Sequence, residues 1–509
     1  MNTRRSELWL CATIAALTAI EFLQLSMTAF AAQPIMGELG LSPEDFSLIA
    51  AVYASVAVLM ISMQRWLVEW IGARRFICIS TVVSALGSVL CATSHDYRSF
   101  LIGRVVMAVG GGALFTSARM IIQHLMPGKR RFTGIRALGT SLALGLAVGP
   151  WLASEAVSAE HWSAIYWLVA CVGLGTCGLA WRSLPLMGPG RGSEPSLLRL
   201  ELQVLLAAAV FALLYGLQRL YYDFFGDVGF AALAMAAAVI GLLVYAWYEY
   251  RAPHPLLQVR RMLHARYLAG MALFGFGYLM LGANNYVMPS MLLRTLGFAW
   301  QTVGRFEAIG FLAAVVTILV VTWLVPRHPS PRKYLVTGFA ALTLCGVLLA
   351  RLDTTADLWT HVLPALVLYS IFLLTVMPIA AMQSYRELEN DERAFANAQQ
   401  LKNMVGQVGI ALGITLATLG QQWRTAVHYA VLDTHISEGD PRFTIAFDRL
   451  RDALSHAVGA AQATQLATSR IAHLLVQQSS MLANIDHFAC IAVLGVAGIA
   501  VTLVQKVFR

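Results

Sequence analysis

Glu21 lies mid-way along the apolar run 8–32, Arg104 in the outer half of 99–122, Glu307 near the outer end of 303–325, and Lys402 early in 397–420. A charged group in such a run is expensive, so it needs a partner or a water-filled cavity. One chemistry that serves is a proton or substrate pathway, because an acid removed from water favours its neutral form and can load and release a proton near neutral pH. The bland alternative is a structural ion pair, or a long side chain reaching the interface. The depth of Glu21 and Arg104 argues against reaching the interface. Glu307 and Lys402 are balanced between the two readings, and Arg305 reads as interfacial.

Uncharged polar residues add to this set. Gln24, Ser26 and Thr28 precede Pro34 in the first run, and Asn284, Asn285 and Tyr286 precede Pro289 in the ninth. Matching interrupted helices in two halves of a chain point to a central site between repeats. Gln24, Thr28, Asn284, Asn285, Tyr286 and Lys402 are therefore candidate substrate-cavity residues, although Pro and small polar residues also occur in ordinary membrane helix packing. Enzyme chemistry has little to stand on. His124 and His264 sit alone in basic loops, and no HxxxD, HExxH or GxSxG pattern occurs. The 7 cysteines form no CxxC pair, so we expect no metal and no cofactor.

The elements that hold these residues follow from composition. Of 509 residues, 58% are hydrophobic and 12% charged, where a soluble domain carries about 25% charged residues. Runs long enough to cross a bilayer lie at 8–32, 46–67, 76–94, 99–122, 137–154, 163–184, 199–220, 229–249, 267–292, 303–325, 334–351, 360–383, 397–420 and 485–506. The fold class expected is an all-α polytopic membrane protein of fourteen helices. The first run continues past Glu21 to Pro34 with no small-residue cleavage motif, so it reads as a retained helix rather than a signal peptide.

The net charge of +9 is distributed as topology signals rather than as a nucleic-acid face. With the N-terminus cytoplasmic, the inside loops hold 23 Lys and Arg, among them Arg74, Arg75, Lys129, Arg191 and Arg266. The short outside loops hold five: Arg98, Arg219, Arg294, Arg305 and Arg351. Both termini are expected in the cytoplasm. Residues 188–196 read as a Gly, Pro and Ser linker. Residues 421–484 read as an outside helical hairpin, with Phe443, Phe447, Leu450, Leu454 and Val458 on one apolar stripe and Gly459 at the turn.

Small residues carry a more specific signal. Gly110, Gly111 and Gly112 follow Arg104, and Gly145, Gly149 and Pro150 line the fifth run at a spacing that lets a neighbouring backbone approach. The stretch Gly145-Leu-Ala-Val-Gly149-Pro150 resembles the antiporter motif of drug-exporting major facilitator proteins, with Ala153 and Ser154 in place of its last glycines. Arg104 and its glycines resemble the family's fourth-helix motif, whose arginine is tied to proton coupling. Glu249 to Leu257 followed by Arg260 and Arg261 resembles a family linker, and Lys402 to Gly409 resembles the thirteenth-helix pattern, which usually has arginine at the first position. Together they resemble the fourteen-helix drug/proton antiporter branch, the EmrB/QacA-like exporters.

The departures are specific. The second-to-third loop runs Arg65, Leu67, Glu69, Gly72, Arg74, Arg75, with Glu69 for the family's Asp and Trp70 for a basic residue. Glu69, Gly72, Arg74 and Arg75 are the expected gating loop. The first-helix Asp is replaced by Leu25 or Met27, which leaves Glu21 as that span's acid and Glu21 or Glu307 as the expected proton carrier, with Arg104 beside them. The resemblance implies two six-helix bundles, 1–185 and 266–509, with accessory helices in 186–265. It implies proton-coupled export of amphipathic drugs or toxic metabolites across the bacterial inner membrane, with a periplasmic adaptor and outer-membrane channel as partners; the hairpin is either the surface on which they dock or a lid over the last two spans. Two alternatives stand: uptake of a metabolite or siderophore by the same fold, and a membrane-embedded enzyme.

Overall fold

The structure, a computed structural model, describes residues 3–508 apart from 127, 186–198, 223, 253–254, 354, 389–390, 435 and 437–439. The expected linker 188–196 lies outside the described residues. The helices long and apolar enough to cross a membrane number 14 among the described residues. The first six are Glu7–Phe30, Pro43–Ile71, Ala73–Ala92, Tyr97–Leu125, Arg130–Ser158 and Ala164–Ser183. The seventh and eighth are Leu200–Arg219 and Val228–Arg251. The last six are Ala265–Thr295, Trp300–Leu324, Pro331–Leu349, Leu358–Tyr385, Arg393–Asp433 and Gln462–Val504. Each coincides with one of the fourteen apolar runs.

Capping residues explain why several helices start earlier than hydropathy suggests. Ser42 and Asp45 form a capping box ahead of Pro43, so the second span begins before its apolar run. Asp96 does the same for the fourth span, accepting from the Ser99 amide at 2.9 Å. The Ser99 hydroxyl and amide hold the Asp96 carboxyl below the usual carboxylate range. Asp391 caps the thirteenth, accepting from the Ala394 amide at 3.0 Å. Polar caps of this kind need no apolar neighbours, which is why a search for greasy runs passes over them.

The first span packs on the fifth and sixth, and the third on the fourth and sixth. In the second half the ninth packs on the twelfth and thirteenth, and the eleventh on the twelfth and fourteenth. Two long seams join the halves: fifth against tenth, and second against thirteenth. The seventh and eighth pack on each other, and the seventh leans on the second. The chain is thus a pair of six-helix bundles with two accessory helices. The fourth span breaks at Gly112 and Ala113. Here a Cβ on Gly110 would stand 2.2 Å from the Ser84 amide nitrogen, and one on Gly112 would stand 2.7 Å from Ala57 Cα. Glycine lets this helix touch two neighbours' backbones.

The chain ends and the arginine-rich loops share one face, called here the basic face. Glu7 pairs with Arg130 at 3.7 Å, and Arg266 Nε donates to the Val507 carbonyl at 3.2 Å. The opposite face carries the hairpin. The thirteenth span runs on as one helix to Asp433, a helix Pro441–Val458 follows, and Gly459 turns the chain at φ +84° into the helix Ala460–Val504. The first of these helices carries the thirteenth span past the polar Gln421 and Gln422, which interrupt its apolar run but not its helix.

Candidate functional site

Glu21 is buried between the halves. Its Oε1 accepts from Gln407 Nε2 of the thirteenth span at 2.6 Å, and its Oε2 has no hydrogen-bond partner. One turn on, Gln24 Nε2 donates to the Tyr53 hydroxyl. The Tyr53 ring lies 4.4 Å under the Arg104 guanidinium, whose Nε has no partner either. Arg104 acts electrostatically on Glu21 without touching it. The structure therefore brings Glu21, Gln24 and Arg104 into one buried network, with Tyr53 and Gln407 as its other members. Thr28 faces elsewhere. Its hydroxyl is 3.2 Å from the Tyr166 hydroxyl in the packed seam with the sixth span.

Glu307 occupies a second polar pocket nearer the hairpin face. It is 3% exposed, and its Oε1 has no partner. With Ser26, Pro150, Asn284 and Asn285 it lines a cavity of about 10 Å³, room for about one water molecule. Asn285 Nδ2 is also without a partner, and Asn284 Oδ1 lies 3.4 Å from His487 Nε2. Tyr286 packs against Phe46 of the second span, ring centroids 6.3 Å apart. Gly145 and Gly149 seat the fifth span on the first. A Cβ on Gly149 would stand 1.9 Å from Ser26 Oγ, and that hydroxyl lies 3.1 Å from the Gly145 carbonyl oxygen. Pro150 follows within an unbroken helix and reaches the Glu307 pocket.

Lys402 is fully buried, with its Nζ 4.4 Å from the Phe274 ring centroid and no hydrogen-bond partner. In the gating loop, Glu69 accepts from Arg65 Nε at 2.9 Å, and Arg65 Nη1 reaches Asn397 Oδ1 of the other half at 3.4 Å. Gly72 takes φ +84° between the second and third spans. Arg74 stacks on Trp181 at 4.2 Å, and Arg75 is exposed.

Between the two seams, on the basic side of Glu21, lies a cavity of about 260 Å³. Phe22, Arg119, Leu142, Phe274, Ile318 and Met377 are among its walls. It runs into a vestibule bounded by Arg131, Pro329 and Arg386, so it opens toward the basic face. Toward the hairpin face the halves meet. Ser47 and Thr415 hydroxyls are 3.1 Å apart, Arg305 pairs with Glu155 at 3.2 Å, and Phe30 meets Trp300 edge to face at 5.8 Å. None of Gln24, Thr28, Asn284, Asn285, Tyr286 or Lys402 is in the wall of this cavity. Lys402 stands behind two wall residues, Phe274 and Tyr385.

Sequence reasoning passed over Arg119, Gln407, Tyr53 and His487. Arg119 sits within the run 99–122 and carried the same signal as Arg104. Gln407, Tyr53 and His487 carry no charge pattern that marks them, and only the packing shows which neighbours they meet.

The comparisons agree with this architecture. The putative multidrug resistance protein MdtD of Serratia proteamaculans is 23% identical over 74% of this chain and 78% of that protein. The colistin resistance protein EmrB of Acinetobacter baumannii is 20% identical over 84% of this chain and 83% of that protein. Among solved structures, a bacterial homologue of the human lysosomal transporter Spinster, inward-facing and unoccupied, superposes with a TM-score of 0.61 at 11% identity. That match covers 100% of this chain and 98% of that one. The family model for the Major Facilitator Superfamily matches residues 14–414. Two helical bundles around a cavity open at one face, in a chain matched over most of its length, make this protein a member of the major facilitator superfamily.

Proposed function

We propose that the protein exports an amphipathic compound from the cytoplasm in exchange for protons. The observation that carries this reading is Glu21. It is buried between the halves, next in the chain to the cavity-wall residue Phe22, bridged to the other half by Gln407, with its second oxygen unpartnered. A group that binds a proton and also ties the halves together is placed to couple protonation to their relative movement. Glu307, Asn284 and Asn285 form a second proton-holding pocket toward the hairpin face. Arg104 supplies the positive field. The bundles 1–185 and 266–509 rock about the seams, with 186–265 as accessory, and the loop of Glu69, Gly72, Arg74 and Arg75 gates the basic face.

The arginine bias supports a basic face and both termini on the cytoplasmic side of a bacterial inner membrane. The cavity then faces its cargo's source, as an exporter's loading state requires. Each charge crossing the field is worth about 2.3 kcal/mol per 100 mV, so proton entry can drive uphill export. The drug-resistance names of two relatives support export of toxic amphiphiles. The hairpin is the surface we assign to a periplasmic adaptor.

Cells expressing the chain should retain less of a fluorescent amphiphile than cells with empty vector, and a protonophore should abolish the difference. Equal retention across a broad panel of amphiphiles would contradict export.

A further inference from the structure

We propose that the cavity on the basic face is built for an amphipathic organic anion. The inference names the cargo class for the cavity and rests on that cavity being the loading site proposed above.

Among the described residues, the charged ones in the cavity wall are Arg119 and Arg131, and none is an acid. In the vestibule the described charged residues are Arg131 and Arg386, again with no acid among them. Arg119 lies over the Phe115 ring at 4.5 Å and its Nε has no hydrogen-bond partner. Arg131 lies 5.5 Å over the Phe395 ring. Lys402 places a further basic side chain just behind the wall, its Nζ without a partner among the described residues. Among the described residues, no carboxylate lies within ion-pair distance of Arg119, Arg131 or Lys402. A neighbouring cleft across Gln123 does contain an acid, Glu69, and Arg65 pairs with it at 2.9 Å. Glu21 points to Gln407 and is not in the wall.

Guanidinium groups with no carboxylate partner, set against apolar walls with Arg119 partly buried and Arg131 at the exposed mouth, favour an anion, because a charge-assisted bond away from bulk water gains more than it does in water. The same space opposes a cation, which would meet two like charges with nothing to offset them. The apolar walls, Phe22, Leu142, Ile318 and Met377 among them, require the cargo to carry a hydrophobic body as well. The fork of Arg119 suits a planar group such as a carboxylate or sulfonate. An anion moving outward also travels with an inside-negative potential, so the field that draws protons in assists it.

The test is equilibrium binding to the full chain in lipid nanodiscs, with no gradient imposed. Three fluorescent probes share one apolar body: pyrenebutyrate, its primary amide, and its trimethylammonium analogue. Wild type should bind the carboxylate about tenfold more tightly than the ammonium analogue. Arg119→Gln and Arg131→Gln should each weaken carboxylate binding several-fold and leave the amide unchanged, which also shows that the variants are folded. Arg119→Lys should restore part of the loss. The proposal is overturned if the ammonium analogue binds as well as the carboxylate, if the variants weaken all three probes alike, or if the carboxylate does not bind. Failure of gradient-driven export, with the carboxylate preference intact, would count against the export reading and leave this one standing.

Discussion

Gln407 Nε2 and Glu21 Oε1 are 2.6 Å apart although 386 positions separate them in the chain. This bond joins the first span to the thirteenth, across the plane on which the halves must move. A hydrogen bond contributes about 0.5–1.5 kcal/mol between neutral groups and about 1.5–3 kcal/mol to an ionised one. A double-mutant cycle of Glu21→Leu and Gln407→Leu, read by unfolding in detergent, should give a coupling energy within that span. Strictly additive effects would mean that the pair does not tie the halves together.

Lys402 is a buried amine with no acid beside it among the described residues. A buried polar group left unsatisfied costs about 1–3 kcal/mol. Replacing it with a side chain of similar length and no charge should remove that cost, so Lys402→Met should raise the thermal midpoint in detergent. Lys402→Ala should lower it, because it opens a cavity between Phe274 and Tyr385. A fall in both variants would show that the ammonium group stabilises the resting fold.

The contact of the third and fourth spans depends on having no side chain at Gly110, where a Cβ would stand 2.2 Å from the Ser84 amide nitrogen. Gly110→Ala should cost about 1–3 kcal/mol through overpacking. Gly178 of the sixth span has nothing within 4 Å of the corresponding position, so Gly178→Ala should be nearly silent. Comparing the folded fraction of the two variants by gel filtration checks the helix contact directly.

Where the hairpin meets the bundle, Asp486 Oδ2 accepts from Arg424 Nε at 2.6 Å and from His428 Nε2 at 2.7 Å. Asp486→Asn keeps the shape and removes the charge that holds both partners. Amide exchange across residues 421–433 should speed up by about tenfold, as a loss of about 1.4 kcal/mol in local opening energy implies. Unchanged exchange would mean that apolar contacts alone hold the hairpin.

Much of this was legible in the sequence, for a physical reason. Lipid leaves a chain few options, so fourteen apolar runs became fourteen helices, and the turn at Gly459 stood out between two periodic stripes. The buried charges were also legible, since Glu21, Arg104, Glu307 and Lys402 each interrupt an apolar run. Spacing along one helix could not say which charges meet. Glu307 lines a small polar pocket that Glu21 does not reach, and Glu21 finds Gln407 only across the interface between the halves. The six residues expected to wall the substrate cavity lie outside the wall of the apolar cavity on the basic side of Glu21. Pro34 and Pro289 drew attention to the hairpin-side ends of their spans, whereas the open space lies at the basic ends, where Arg119 sits.

The most direct test of proton-coupled export is gradient-driven accumulation in inside-out vesicles, for wild type, Glu21→Gln and Glu307→Gln. With the lumen acidified, wild type should accumulate a fluorescent amphiphile, and at least one variant should bind it while accumulation no longer responds to the gradient. If wild type accumulates nothing under a gradient of either sign, export by proton exchange is contradicted. If both variants match wild type, the proton is carried by some other group than the two buried glutamates.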